Sequence, residues 1–220
     1  MNQIYLDYNA STPIHPRVAA IMRPLLDGPY ANPSATHAGG RAAREIVEHA
    51  RTQVAALLGA APDEVVFTSG GSEANNLALK GAYFALRNRG DPIVTTTVEH
   101  PAIVEPARFL ERLGARVTFL AVDRTGRVDP DDVRRAITPR TILVSVMHAN
   151  NEVRTIEPIE EIARFARERG VLVHTDAAQS VGKIPTRVDG LGVDLLSIAG
   201  HKLYAPKGHW GSLRPPGRSP

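Results

Sequence analysis

Residues 141–182 read TILVSVMHANNEVRTIEPIEEIARFARERGVLVHTDAAQSVG. Thr141 to Met147 is a short apolar run with β-branched residues and reads as a strand. Ile159 to Glu168 repeats its apolar residues at helical spacing, and Val171 to Thr175 returns to a strand pattern. Strand, helix and strand in so short a stretch make a crossover unit, and a crossover forces its two strands to be parallel with the helix laid over the sheet. Polar residues gather directly after each strand, as His148-Ala149-Asn150-Asn151-Glu152 and as Asp176-Ala177-Ala178-Gln179-Ser180. Open parallel sheets bind ligands at the carboxyl ends of their strands, so these two clusters mark where a site is expected.

The same alternation extends in both directions. A helix is expected over Ala38–Leu58, ended by Gly59, then a strand over Glu64–Phe67 and a helix from about Glu73. Ile93–Thr97, Arg116–Val122 and Val193–Ile198 read as further strands, with a helix over Ala102–Leu113 and a short one opened by Asp129-Pro130-Asp131. The reading is a three-layer αβα domain with a mostly parallel sheet over residues 1–208. After Gly208 the chain has three prolines and no periodicity, so 209–220 is expected to be an irregular, disordered tail.

Composition narrows the function. The 220 residues are 43% hydrophobic and 22% charged, with no apolar run near the ~20 residues of a membrane helix. The start, Met-Asn-Gln-Ile-Tyr-Leu-Asp, has no secretory pattern, so a cytoplasmic protein without membrane contact is expected. The net charge is +3, but the basic residues are scattered rather than clustered, which argues against a nucleic-acid partner. Only Lys80, Lys183, Lys202 and Lys207 could supply a nucleophilic amine, because arginine stays protonated. There is no cysteine, which excludes disulfides and thiolate zinc sites.

Thr68-Ser69-Gly70-Gly71-Ser72-Glu73 leads from a strand into a helix, and glycines at a helix N-terminus can cradle an anion; an ordinary capped turn is the plainer reading. His100, His148, His174 and His201 follow strands or lie near their ends. A metal site from them is conceivable, but none has the paired spacing of a helix-borne zinc site. An aromatic cofactor accounts for more of the pattern. Asp176 could pair with a pyridinium nitrogen, His100 could stack on the ring, Gln179 could reach a phenolic oxygen, and Gly71 and Ser72 could hold a phosphate. Lys202, in Ser197-Ile198-Ala199-Gly200-His201-Lys202, leaves an apolar strand and is the lysine expected to emerge partly desolvated as a free amine. Lys80, Lys183 and Lys207 read as structural or solvated.

These segments, together with Tyr5-Leu-Asp-Tyr-Asn-Ala-Ser-Thr-Pro13, Asn32-Pro-Ser34, Glu99-His100 and Gly200 to Gly208, resemble the cysteine desulfurases of the class V aminotransferase family, fold-type I pyridoxal 5'-phosphate (PLP) enzymes. The resemblance implies the fold-type I large domain, without the last sheet strand and the small C-terminal domain that follow in the family. It implies catalytic roles for Lys202, as the Schiff-base lysine, and for His100. It implies cofactor or substrate contacts from Gly71, Ser72, His100, Asn150, Asp176, Gln179, His201 and Lys202. A serine often found at the position of Ala199 is absent. The implied activity is removal of sulfur from L-cysteine to give L-alanine for iron–sulfur cluster or thio-cofactor synthesis. A homodimer and a sulfur-acceptor scaffold partner would accompany it. The family's persulfide-forming cysteine and its substrate-carboxylate arginine lie in a part of the family that this sequence does not contain, so a truncated chain with impaired activity is expected. A related lyase or aminotransferase needing no protein thiol, or a non-catalytic partner-binding module, are the alternatives.

Overall fold

Consecutive residues of the central strands divide between two cores, as a sheet covered on both faces requires. The computed structural model describes residues 4–208 and the backbone of 210–213. Ile93, Leu143, Leu172 and Leu195 pack with Leu79, Tyr83, Ile103 and Leu110, whereas their neighbours Val94, Val144, Val173 and Leu196 pack with Leu58, Val133, Ile159 and Ile162. The first set belongs to the face covered by α3 (Gly71–Leu86) and α4 (Pro101–Arg112). The second belongs to the face covered by α2 (Ala38–Leu58), α5 (Pro130–Ala136) and α6 (Ile159–Glu168). This is the three-layer αβα arrangement expected of the sequence.

The sheet has seven strands in the order β1-β7-β6-β5-β4-β2-β3. They are β1 (Val65–Thr68), β2 (Pro92–Thr96), β3 (Arg116–Leu120), β4 (Leu143–Ser145), β5 (Leu172–Asp176), β6 (Leu195–Ser197) and β7 (Trp210–Leu213). β3, β2, β4, β5 and β6 pair in parallel, so the loops leaving β2, β4, β5 and β6 emerge along one edge. No described helix is long and apolar enough to cross a membrane.

Three differences from the sequence reading have local causes. An irregular tail and an incomplete sheet were expected after Gly208, yet residues 210–213 form β7, antiparallel to both β1 and β6. Backbone hydrogen bonding to two neighbours makes this strand, a driving force that leaves no side-chain periodicity to read. The rest of that expectation, residue 209 and residues 214–220, lies outside the described residues. Helix α1 (Pro16–Asp27) carries Val18, Ile21, Met22, Leu25 and Leu26 at helical spacing, but Pro24 lies inside it and interrupts the pattern read from sequence, and the helix buries no residue. The four-residue α7 (Val188–Leu191) is shorter than any pattern window. Where boundaries were expected they move little, and α2 spans 38–58 with Gly59 left-handed at φ 72°.

Candidate functional site

A cavity of about 570 Å³ opens at the carboxyl edge of the sheet. Its wall takes Gly71 and Ser72 from the start of α3, His100 from the start of α4, Asp176 and Gln179 from beyond β5, and His201 and Lys202 from beyond β6. Seven of the eight residues singled out from the sequence therefore share one cavity. Asn150 is the exception.

Lys202 lies in a short 3-10 turn, Gly200–Lys202, that the N-terminal segment holds down from the far end of the chain. Thr12 donates its N–H (2.9 Å) and its hydroxyl (2.8 Å) to the His201 carbonyl, and its hydroxyl oxygen accepts from the Tyr204 N–H at 2.8 Å. Lys202 is half-buried, and its Nζ makes no hydrogen bond among the described residues. Burial lowers its pKa below that of ordinary lysine, and the nearby Asp176 carboxylate partly opposes the shift. A larger share of this amine is unprotonated at neutral pH than for a surface lysine, which suits an amine nucleophile. The other lysines are engaged elsewhere or exposed. Lys80 lies over the Phe109 ring, and Lys183 donates to Gln179 Oε1 at 3.0 Å.

Asp176 is buried at the end of β5, with both carboxylate oxygens fixed. Asn75 Nδ2 donates to Oδ2 at 2.7 Å, and the Ala178 N–H donates to Oδ1 at 2.9 Å. Asn75 comes from the second turn of α3, is 2% exposed and lines the cavity, yet its Oδ1 has no partner among the described residues. An orphaned buried acceptor is costly unless a bound donor satisfies it. Sequence reading passed over Asn75, because Ser-Glu-Ala-Asn-Asn carries no sign of which asparagine will face β5. Beneath Asp176, His174 is buried, with Nδ1 2.9 Å from Ser145 Oγ and Nε2 3.0 Å from Ser197 Oγ, a polar row across β4, β5 and β6. Burial lowers the pKa of His174, so it belongs to the floor of the site in its neutral form.

His100 caps α4, its Nδ1 accepting the Ala102 N–H at 3.0 Å. That bond puts the proton of the neutral ring on Nε2. Burial lowers its pKa, Asp176 opposes this and Lys202 adds to it. His201 titrates low for the same first reason, burial, with Lys202 and Lys207 adding and the Ala10 backbone opposing. His148 points away from the cavity to Ser180 Oγ at 2.9 Å. Among the described residues no three His, Cys, Asp or Glu side chains cluster as a metal site would require.

Helix α3 begins at Gly71, two residues before the expected start, and no side chain caps it. Glu73 turns back to accept the Ser69 N–H at 2.6 Å, and Ser69 Oγ also donates to it. The first-turn N–H groups beside Gly71 and Ser72 are left as donors for an anion, reinforced by the helix dipole. Gln179 lines the cavity while donating to the Asn9 carbonyl at 2.9 Å, which leaves its second N–H for a ligand.

The expected ligand contact of Asn150 differs in the structure. Its Oδ1 accepts the N–H groups of Glu152 (2.8 Å) and Val153 (3.0 Å), and its Nδ2 donates to the Val98 carbonyl at 3.0 Å. Asparagine after a strand favours such turns, so the side chain ties the 150–154 loop while Asn151 lines the cavity. Asn150→Ala leaves those part-buried groups without their partner. It is expected to lower the unfolding free energy by about 1–3 kcal/mol in denaturant titration, and a change below about 0.5 kcal/mol would contradict the role.

The residues present fit a pyridoxal-type cofactor: a desolvated lysine, a fixed carboxylate, an aromatic imidazole, an uncapped helix N-terminus and an orphaned amide oxygen meet in one cavity. Comparison with known proteins agrees. Residues 4–209 match the family model described as aminotransferase class-V. The chain is 53% identical over 206 residues to a cysteine desulfurase IscS of Dictyoglomus turgidum, covering 94% of this chain and 52% of that protein. Among solved structures it resembles SspA in complex with cysteine (TM-score 0.92, 41% identity, 96% of this chain and 60% of that one). It also resembles a NifS-like protein (TM-score 0.95, 36% identity, 99% and 60%). The chain spans about half the length of the curated relatives it matches.

Proposed function

Because this chain belongs to the aminotransferase class-V family, we propose that it binds pyridoxal 5'-phosphate through Lys202 and takes part in removing sulfur from L-cysteine to give L-alanine. The observation that carries this reading is the half-buried Lys202 amine sharing one cavity with Asp176 and the uncapped start of α3.

Bound there, the cofactor would supply an electron sink for a carbanion at the substrate α-carbon. Lys202 would hold the cofactor covalently and move the proton at that carbon. Asp176, fixed by Asn75 and Ala178, would keep the pyridine nitrogen protonated. His100 would stack on the ring, with its Nε2–H as an acid. Gly71, Ser72 and His201 would hold the phosphate. The spare N–H of Gln179 would reach the ring oxygen, and the contact expected of Asn150 would pass to Asn151. The sequence contains no cysteine, so the thiolate that receives sulfur would come from outside these 220 residues. A homodimer, expected from the family, belongs to the same proposal and is checked by sedimentation.

The test is to load the chain with pyridoxal 5'-phosphate and supply L-cysteine with a small dithiol as sulfur acceptor. Alanine and sulfide should form together, in a cofactor-dependent way and only when the dithiol is present. Sulfide released without any added thiol, together with a product other than alanine, would favour the thiol-independent lyase that the absence of cysteine also permits. No amino-acid turnover by the loaded chain would overturn both.

A further inference from the structure

The turn that carries Lys202 is not closed by its own backbone alone. The Lys202 N–H donates to the Ala199 carbonyl (3.0 Å), and the Leu203 and Ala205 N–H groups donate to the Gly200 carbonyl (2.8 and 3.0 Å). That leaves the His201 carbonyl and the Tyr204 N–H, which flank Lys202, and Thr12 takes both. Its N–H (2.9 Å) and hydroxyl (2.8 Å) donate to the carbonyl, and the same hydroxyl oxygen accepts from Tyr204 at 2.8 Å. Tyr204 is one of two described non-glycine residues with positive φ, at 61°. Such backbone is unfavourable for a side chain with a Cβ, and at a site it is held by its surroundings. The Tyr204 carbonyl is fixed as well, accepting the His15 N–H at 2.9 Å, with the two rings edge to face.

The segment that brings Thr12 is anchored elsewhere too. Asn9 Nδ2 donates to the Asn151 carbonyl, after β4, at 3.1 Å, and Gln179 Nε2, after β5, donates to the Asn9 carbonyl at 2.9 Å. Residues 9–15 therefore form a strap tied to the loops that leave β4, β5 and β6, and Thr12 is its tie to the lysine turn. Asn9, Ala10, His201 and Lys202 line the cavity, whereas Thr12 is not among the lining residues. We propose that Thr12 is a positioning residue for Lys202: its hydroxyl holds the turn so that the amine stays half-buried at the cavity wall. This deepens the proposed function, since it takes Lys202 to be the amine that captures pyridoxal 5'-phosphate.

The charges around Lys202 lie on other residues. Asp176 faces it from beyond β5, and His100, Lys183 and its neighbour His201 all feel its charge. Asp7 of the N-terminal segment and Glu152 and Arg154 after β4 line the same cavity. Substituting the neutral Thr12 alters none of these groups. A change in the titration of Lys202 then reports its burial, the first cause of its lowered pKa.

The experiment labels the unloaded chain with acetic anhydride across the lysine titration range and reads the Lys202 peptide by mass spectrometry. Growth of the visible band on adding pyridoxal 5'-phosphate is timed in parallel. Thr12→Val keeps the branched shape without the hydroxyl, Thr12→Ala removes both, and Thr12→Ser keeps the hydroxyl. In the valine and alanine variants the Lys202 midpoint should rise by roughly one pH unit, a tenfold change in free amine. The band should then grow roughly tenfold more slowly near neutral pH. Thr12→Ser should match the unmodified chain, and labelling of Lys80 and Lys207 should be the same in all four chains. Unchanged Lys202 labelling in both hydroxyl-free variants, an equal shift in Thr12→Ser, or a shift shared by Lys80 and Lys207 would overturn the assignment. So would a raised midpoint with unchanged band growth, or loss of folding by circular dichroism in both hydroxyl-free variants. No visible band in the unmodified chain would bring down the proposed function, while the Lys202 labelling would still decide the role of Thr12.

Discussion

Lys202→Ala, incubated with pyridoxal 5'-phosphate and desalted, should keep none of the visible absorption that the unmodified chain retains. The effect is all-or-none because no other described lysine side chain lines the cavity. Lys183 is the natural competitor: it is partly buried, its pKa is lowered by burial and by Lys202, and it contacts Gln179. Lys183→Ala should therefore retain the band. Lys202→Arg keeps the positive charge and most of the volume but not the nucleophile, and it should lose the band as fully as the alanine variant. Capture of the cofactor requires the unprotonated amine, so its rate should rise with pH and level off below the ordinary lysine value of 10.5, as burial of Lys202 directs. A band that survives in Lys202→Ala and vanishes in Lys183→Ala would move the assignment to Lys183, with circular dichroism as the check that both variants fold.

Glu99→Gln should change the pH dependence of stability more than any surface substitution. Glu99 is 7% exposed at the join between β2 and α4. One carboxyl oxygen accepts from Thr96 Oγ1 (2.8 Å) and the Met147 N–H (2.9 Å), and the other has no partner among the described residues. Burial pushes its pKa up to about 8; the bonds from Met147 and Thr96 oppose this, and the charges of Asp176 and Glu157 add to it. The native protein therefore holds a proton that the unfolded chain releases near 4.5. Stability contributed by this group is fully present below that pH and is lost as pH rises toward 8. A shift of this size corresponds to an upper figure of about 5 kcal/mol, of which several kcal/mol is a reasonable expectation. His174 has the opposite sign: its lowered pKa removes stability as pH falls below its ordinary 6.5. Comparing unmodified chain with Glu99→Gln cancels His174 and the surface acids. The glutamine keeps the acceptor oxygen and never ionises, so the unmodified chain should lose stability relative to it between pH 5 and 8 in urea titrations. A difference that stays flat across that range would mean Glu99 is already ionised in the folded protein.

Both expectations depend on placements that sequence supports unequally. Lys202 was legible because an apolar strand, a glycine and then a lysine can end in only a few ways at the carboxyl edge of a parallel sheet. Asp176 and Gln179 were legible for the same reason, and Gly71 and Ser72 because glycine and serine before a helical pattern leave open N–H groups. Asn75, Arg154 and the burial of Glu99 were not. Each depends on which turn of a helix or loop meets another strand, and no local pattern records that. Asn150 shows the limit from the other side. Its type and position were right for a ligand contact, yet its side chain meets the backbone of its own loop, and only the fold decides between an asparagine and its neighbour.

The sequence by itself determined the layers, because period-two apolar runs and helical stripes state which faces must be buried whatever the partners are. It also determined the chemistry on offer: four lysines, no thiol, and acids and histidines grouped after strands. Tertiary structure alone decided β7, whose pairing comes from backbone groups common to every residue. It alone decided that Asn75 fixes Asp176 and that Arg154 lines the cavity. The physical reason is the same in each case. Burial periodicity is a property of single elements and is written locally, whereas a hydrogen bond between residues a hundred positions apart exists only once the sheet has brought them together.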